Sequence, residues 1–377
     1  MGSADGDDGA EPCDPEADVR ALCLRHVRDE FLAEELQLVA FEGECAFCAH
    51  GASGPVRVVR VDGLTTTLLS ALSGHGSPKA PPDPAQAITE HCGAALDAEV
   101  LRAVLDHVDR RQWSGEPVEF VPRTCPLQDN WEWLCRTTVD RDLDLSDGDL
   151  SPRSDRHRLE ALMGRIADIV RAERIVRIVE PGRKIWRGRM RSDATLPGYR
   201  APDIGAVPAE RAAENRMSRA GVPLFYGSAD SGTAVVEISA RDGRPFAAVA
   251  AFETIRELRV LDLVDIPELP SPFDRKQAAR RDALVFLHEF AQDLSKPVFY
   301  DGRRHRDYRP TQYVTDCLRA SAELDVQGIR FRSAHNGGVN YALFVDAGRS
   351  TLRLIEGSER VEPRSGGHPR SAETQAV

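Results

Sequence analysis

Two close-spaced doublets of soft or borderline metal ligands, Cys23-x2-His26 and Cys45-x2-Cys48, stand eighteen residues apart near the start of this sequence. A tetrahedral zinc site asks for this arrangement: each doublet grips one edge of the tetrahedron, and the metal closes the loop between them. The stretch "GECAFCAHG" puts the second doublet in a knuckle-like turn with glycines on both sides. Four protein ligands leave no open coordination position, so the zinc expected on Cys23, His26, Cys45 and Cys48 is structural. Cys13 and His50 are the substitute ligands should His26 not complete the set. The plainer alternative stays open, in which Cys23 and His26 share a helix face and the CxxC is incidental. A redox CxxC is disfavoured because no thioredoxin-like βαβ pattern surrounds it. The remaining cysteines, Cys92, Cys125, Cys135 and Cys317, are isolated and read as core thiols.

Reduced thiols fit the rest of the chain. The opening "MGSADGDDGAEPCDPEAD" is acidic and lacks the apolar core of a secretory signal. The longest apolar runs, such as "PFAAVAAF", fall far short of the ~20 residues that a membrane span needs. A cytoplasmic protein is therefore expected, with its eight cysteines reduced. The net charge of −11 argues against nucleic acid as the main ligand, since a general binder carries a broad basic surface.

At 377 residues the chain has room for two or three domains. Residues 1–18 are acidic and aperiodic and read as disordered. Residues 19–150 read as a zinc-bearing, mainly helical region. Within it, "VRVVRV" is strand-like, "GHGSPKAPPDPAQ" is a loop, and Val100, Leu101, Val104, Leu105 and Val108 recur at helical spacing. A connecting helix is expected in 151–179, through Leu159, Leu162, Ile166, Ile169 and Val170. Short strands, turns and some helices fill 180–354, and 355–377 reads as a disordered tail. The fold class is α+β: a mixed α/β C-terminal domain behind a mainly helical N-terminal region.

The C-terminal domain contains a carboxylate in an unusual setting. In "GVPLFYGSADSGTAVVEIS" a short apolar strand reaches Tyr226, a polar loop follows, and Asp230 or Ser231 caps a helix. Glu237 sits in that helix between Val236 and Ile238. Other polar residues stand in comparable apolar contexts. Arg187 lies in "KIWRGRM" and Arg216 lies before a Gly-turn in "ENRMSRAGVPLFY". Ser333 and Asn340 flank the Gly-rich turn of "GIRFRSAHNGGVNYALF". Each has a plain reading by itself: Glu237 as a solvent-facing helix carboxylate, Tyr226 as core, the arginines as two among many, and Ser333 as a strand-end residue.

Taken in order and spacing, these motifs resemble the RES domain, named for its arginine, glutamate and serine, over roughly residues 180 to 350. The run from Arg216 through Tyr226 to "TAVVE" is similar to that family's central motif. "GIRFRSA…VNYALF" resembles its serine-bearing strand pair, and "YRPTQYVTDCLRA" the helix before it. The sequence departs from the family pattern at Met217 and Ser218, where an aromatic is frequent, and in the long gap between Arg187 and Arg216. The N-terminal half is also similar to the cysteine-bearing module found ahead of some RES domains in HEPN-associated proteins, which adds to the zinc reading.

The resemblance implies a bacterial, cytoplasmic enzyme similar in fold to ADP-ribosylating toxins. It would cleave the nicotinamide–ribose bond of NAD by phosphorolysis or hydrolysis, as a toxin or defence effector. Arg216, Tyr226 and Glu237 would be catalytic, with Arg187, Ser333 and Asn340 binding substrate. The chemistry is consistent. The bond breaks through an oxocarbenium-like ribose, which a carboxylate stabilises. Arginine suits a pyrophosphate or an inorganic phosphate, and an aromatic ring suits nicotinamide. Nicotinamide leaves as a neutral molecule, so no strong general acid is needed. Unregulated NAD loss would harm the host, so a neutralising antitoxin or an internal regulatory domain is expected; the number of chains in the assembly stays open. The rival readings are ADP-ribosyl transfer from the same pocket and a non-catalytic, zinc-containing binding protein. Elsewhere, "GSADSG" lacks the Lys-Ser/Thr of a P-loop, His288 reads as core, and "DGRRHRDYRP" reads as a basic surface loop.

Overall fold

The computed structural model describes residues 20–48, 55–72, 83–113, 126–140, 153–195, 201–240, 242–296, 304–344 and 351–364. The chain forms two compact units, one of residues 1–125 with 270–282, the other of residues 126–269 with 283–377. The residues read from sequence as a disordered start, 1–18, lie outside the described residues.

The first unit holds a small antiparallel sheet of β1 (Ala21–Cys23), β2 (Phe41–Gly43) and β3 (Val56–Arg60), with β3 in the centre. Four helices pack with it: α1 (Glu30–Gln37), α2 (Val61–Leu72), α3 (Pro84–Cys92) and α4 (Ala98–Trp113). Local chemistry sets their starts. The Asp29 carboxylate accepts from the Leu32 amide to cap α1, and Asp83 caps α3 with Pro84 in its first turn. The stripe read from sequence on α4 is real, for Val100, Val104 and Val108 are fully buried. They join Leu32, Leu36, Leu64, Leu68 and Ile88 in one core, which also takes in Phe273.

The second unit is built on a mixed sheet whose strands are β4 (Val176–Val179), β5 (Lys184–Arg191), β6 (Leu224–Ser228), β7 (Phe246–Thr254), β8 (Leu258–Asp262), β9 (Gly328–Arg332), β10 (Val339–Phe344), β11 (Leu352–Leu354) and β12 (Arg360–Pro363). The order is β11-β7-β5-β6-β10-β9-β8-β4, with β12 also paired to β7. Among the described residues only β8 and β9 run parallel. The helices are α5 (Pro126–Asp140), α6 (Arg153–Ala172), α7 (Ala201–Ile204), α8 (Ser231–Ser239), α9 (Ala278–Ser295) and α10 (Arg304–Ala320). The first residues of α9 count with the first unit. The protein is thus α+β, as its sequence predicts.

The structure departs from the sequence expectation in three places. Residues 126–140 and 153–179, read as part of the N-terminal region and a connector, supply α5, α6 and the edge strand β4 of the second unit. Residues 360–363, read as disordered tail, form β12, because pairing with the edge of β7 orders a segment too polar to announce itself as a strand. Residues 304–310, read as a surface loop, open α10, which continues through Pro310. Among the described residues no helix is long and apolar enough to cross a membrane.

Candidate functional site

The site begins with a fault in the sheet. Strand β5 pairs with β7 along its whole length, but with β6 at a single position, Trp186 opposite Ser228. Strand β6 is paired to β10 from Leu224 to Ser228. Beyond Trp186 the two central strands therefore part, and their facing edges line a cavity of about 1010 Å³. Glycines allow the tight packing around it. A side chain on Gly227 would lie 2.6 Å from the Ile185 methyl, and one on Gly188 would lie 2.6 Å from Ile238 of α8.

Helix α8 delivers the carboxylate. Asp230 caps it, accepting from the Thr233 amide at 2.8 Å. Thr233, Ala234, Val235 and Ser239 turn inward, which leaves Glu237 half-buried and on the cavity wall. Its Oε1 accepts from Asn340 Nδ2 at 2.7 Å. Asn340 is fixed in turn: its Oδ1 accepts from the Ser228 hydroxyl at 2.7 Å, and both residues are buried. Because Ser228 and Asn340 are cross-strand partners, the carboxylate is held by the sheet itself.

Tyr226 and Arg187 complete this wall. The Tyr226 hydroxyl donates to Asn215 Oδ1, which also accepts from the amides of Met217 and Ser218. Arg187 lies in the middle of β5, where its guanidinium donates to the Tyr226 carbonyl at 2.7 Å and lies 5.0 Å from the Phe225 ring. Burial, and then the like charge of Arg189, push Arg187 down to about 10. The Nε atoms of Arg187 and Arg189 are both buried without a hydrogen-bond partner.

Of the six residues singled out in this half of the sequence, four therefore line one cavity: Arg187, Tyr226, Glu237 and Asn340. Arg216 and Ser333 are not on its wall. The Arg216 guanidinium donates to the Asp293 carbonyl at 3.0 Å and lies over the Tyr308 ring, while its own carbonyl accepts from Thr311. Ser333 is buried in the β9–β10 turn, where its Oγ accepts from the His335 amide. Arg189, Asn215 and Ser228 line the cavity and were not singled out. The signal for Arg189 was present: two residues from Arg187 on a strand, it falls on the same face. Ser228 carried none, since its role depends on pairing with β5 and β10.

The cysteine doublets meet as well. The ligand atoms of Cys23, His26, Cys45 and Cys48 all lie within 4.8 Å of one another, a cluster able to hold a metal ion. Cys23 Sγ is 3.7 Å from Cys48 Sγ, and Cys48 Sγ is 3.5 Å from His26 Nε2. Those are the edge lengths, about 3.8 and 3.6 Å, of a tetrahedron around an ion bound at ordinary zinc distances. Cys23 ends β1, His26 closes a short 3-10 turn, and Cys45 and Cys48 follow β2. Burial works against a Cys45 thiolate, but the Cys23 and Phe47 amides outweigh it and bring the thiol down to about 7. The substitute ligands Cys13 and His50, and Cys125, lie outside the described residues. Cys92 is a core thiol, as expected, pushed up to about 12 by burial, and His288 Nε2 bonds the Pro267 carbonyl.

No curated protein and no solved structure matches the chain in comparison. The RES domain family model matches residues 184–361, the span that runs from the first residue of β5 into β12 and contains every wall of the cavity. The second unit of this chain carries a RES domain.

Proposed function

We propose that this chain cleaves the nicotinamide–ribose bond of NAD in the cleft between β5 and β6, with phosphate or water taking the ribose. A RES domain points to chemistry on NAD. The observation that carries the specific reading is the convergence of Glu237, Tyr226, Arg187 and Asn340 on one cavity, with the carboxylate fixed by Asn340 and Ser228.

In this reading Glu237 faces the ribose. It stabilises the positive charge that develops as the bond to nicotinamide lengthens, and holds a ribose hydroxyl. Its orientation is set before substrate arrives, so little reorganisation is needed at the transition state. Nicotinamide departs neutral, which is why one carboxylate suffices. The Tyr226 ring, steadied through its hydroxyl, forms a wall for the nicotinamide. Arg187, with a buried Nε lacking a partner, offers its fork to phosphate oxygens. Arg216 and Ser333 act by supporting the loop and the turn on which cavity residues stand.

The Cys23, His26, Cys45 and Cys48 cluster would hold a zinc ion as a purely structural centre, its four ligands leaving no position for substrate. An activity of this kind depletes the NAD of its own cell. That fits a toxin or defence effector restrained by a neutralising partner or by the first unit of the chain.

The test is to incubate the full-length protein with NAD, with and without inorganic phosphate, and follow nicotinamide and its co-product by mass spectrometry. Nicotinamide release that Glu237→Gln abolishes is the expected result. ADP-ribose 1″-phosphate or free ADP-ribose then names the acceptor, and label retained on protein would mean ADP-ribosyl transfer. No release from protein stripped of co-purified partners would overturn the reading in favour of a binding role.

A further inference from the structure

The metal cluster has a neighbour that its sequence spacing does not contain. Asp97 lies 71 residues beyond His26, immediately before α4, and its Oδ2 is 3.0 Å from His26 Nδ1. Its other oxygen accepts from Arg28, at 2.9 Å from Nε and 2.8 Å from Nη2. The backbones are joined at the same place. The Asp97 amide donates to the His26 carbonyl at 3.0 Å, the Arg28 amide to the Ala95 carbonyl at 2.7 Å, and Val27 and Leu96 form an isolated bridge.

A carboxylate accepts and does not donate when ionised, so the proton of a neutral His26 stays on Nδ1. Nε2 is then the bare nitrogen, and Nε2 is the atom that faces Cys48 Sγ at 3.5 Å. An aspartate before a helix ordinarily turns its side chain to the helix amides. Here both oxygens are engaged with His26 and Arg28 instead.

We propose that Asp97 is the positioning residue of the metal centre: it locks His26 in the tautomer and ring orientation that present Nε2 to the ion, and through it the ion tethers the cysteine-bearing segment to the start of α4. This rests on the reading of the cluster as a metal site. Carboxylates behind ligating histidines raise the basicity of the imidazole and remove its rotational freedom. Their loss weakens metal binding about 10–100-fold. The tether follows from connectivity. Cys23 ends β1 and Cys45 and Cys48 follow β2, whereas Asp97 stands immediately before α4, and His26 is bonded to it by both side chain and backbone.

The test uses the full-length protein. Metal content is measured after purification, and zinc affinity by competition with a chromophoric chelator. The visible spectrum of the cobalt-substituted protein reports the ligand field. Asp97→Asn is compared in two backgrounds, the natural chain and His26→Ala. The expected result is a loss of about 10–100-fold in zinc affinity in the natural chain, with an altered cobalt spectrum, and a loss of less than about twofold where His26 is already gone. Arg28→Gln removes Asp97's other partner and controls for a structural effect; it should change affinity by less than about twofold. Asp97→Glu, which keeps the carboxylate, should recover part of the loss. Equal losses in both backgrounds, or none in either, would overturn the role of Asp97 while leaving the metal site standing. Natural protein that neither retains nor binds zinc would instead overturn the metal reading, and the positioning role with it.

Discussion

A carboxylate beside a developing cation is useful only if its position is fixed, and in this protein two neutral residues fix it. Asn340 donates to Glu237 and accepts from Ser228, so the chain of hydrogen bonds has one consistent direction. Glu237→Gln keeps the shape and removes the charge. It should lower nicotinamide release by about 100-fold or more with little change in melting temperature, as measured by single-turnover kinetics and calorimetry. Asn340→Ala leaves the carboxylate present but without this donor, and a smaller loss, about tenfold and mainly in kcat, is expected. Arg216 provides the contrast. Its guanidinium holds the Asp293 carbonyl and covers Tyr308. Arg216→Ala should therefore cost about 1–2 kcal/mol of stability by urea unfolding, while the KM for NAD moves less than it does in Arg187→Ala.

At the scale of elements, the decisive feature is that β5 and β6 touch at one residue pair and then diverge. The cleft persists because each strand is fully engaged on its other side, β5 by β7 and β6 by β10. Helix α8 closes down on β5 at Gly188, where there is no room for a methyl group. Gly188→Ala should push Ile238 outward, cost about 1–3 kcal/mol and displace Glu237. Ile238→Val in the same chain should recover part of both stability and activity. Across the sheet, Asp262 of β8 is buried and ion-paired with Arg330 of β9 and Arg177 of β4. Burial opposes its charge, but Arg330, the Val264 amide and Arg177 prevail and hold its carboxyl below the usual range. A group more acidic in the folded than in the unfolded state stabilises the fold above the ordinary value of about 4, and the contribution fades as pH falls through the folded value. Asp262→Asn should cost about 3 kcal/mol at neutral pH, because Arg330 and Arg177 keep only Asp265. Its stability should also decline less steeply than the natural protein's between about pH 5 and 3, as read from melting temperatures.

At the scale of the molecule each unit packs around apolar clusters of its own, and so there are two structures that can be lost separately. The residues of the proposed zinc centre all lie in the first unit, so a chelator should act there. Calorimetry of the chelated protein should show one transition lowered. Three of the four tryptophans, Trp131, Trp133 and Trp186, lie in the second unit. Intrinsic fluorescence should accordingly report a melting temperature that chelation moves by no more than about two degrees.

The sequence by itself determined what is local. The i, i+3, i+4 stripe of α4, the capped start of α8 at Asp230 or Ser231, and the ligand doublets are written in neighbouring residues, since helical period, capping and metal spacing act over a few positions. The order of its arginine, tyrosine, glutamate and serine motifs was enough to indicate a RES domain. Tertiary structure decided everything that depends on which strands meet. It made residues 360–363 a strand, took Arg216 and Ser333 off the cavity wall, and brought in Asn215 and Ser228. It also set Asp97 behind His26 across 71 residues. The physical reason is the same in each case. A side chain's neighbours along the chain are set by backbone geometry, but its neighbours across a sheet or behind a ligand are set by registers that only the folded whole selects.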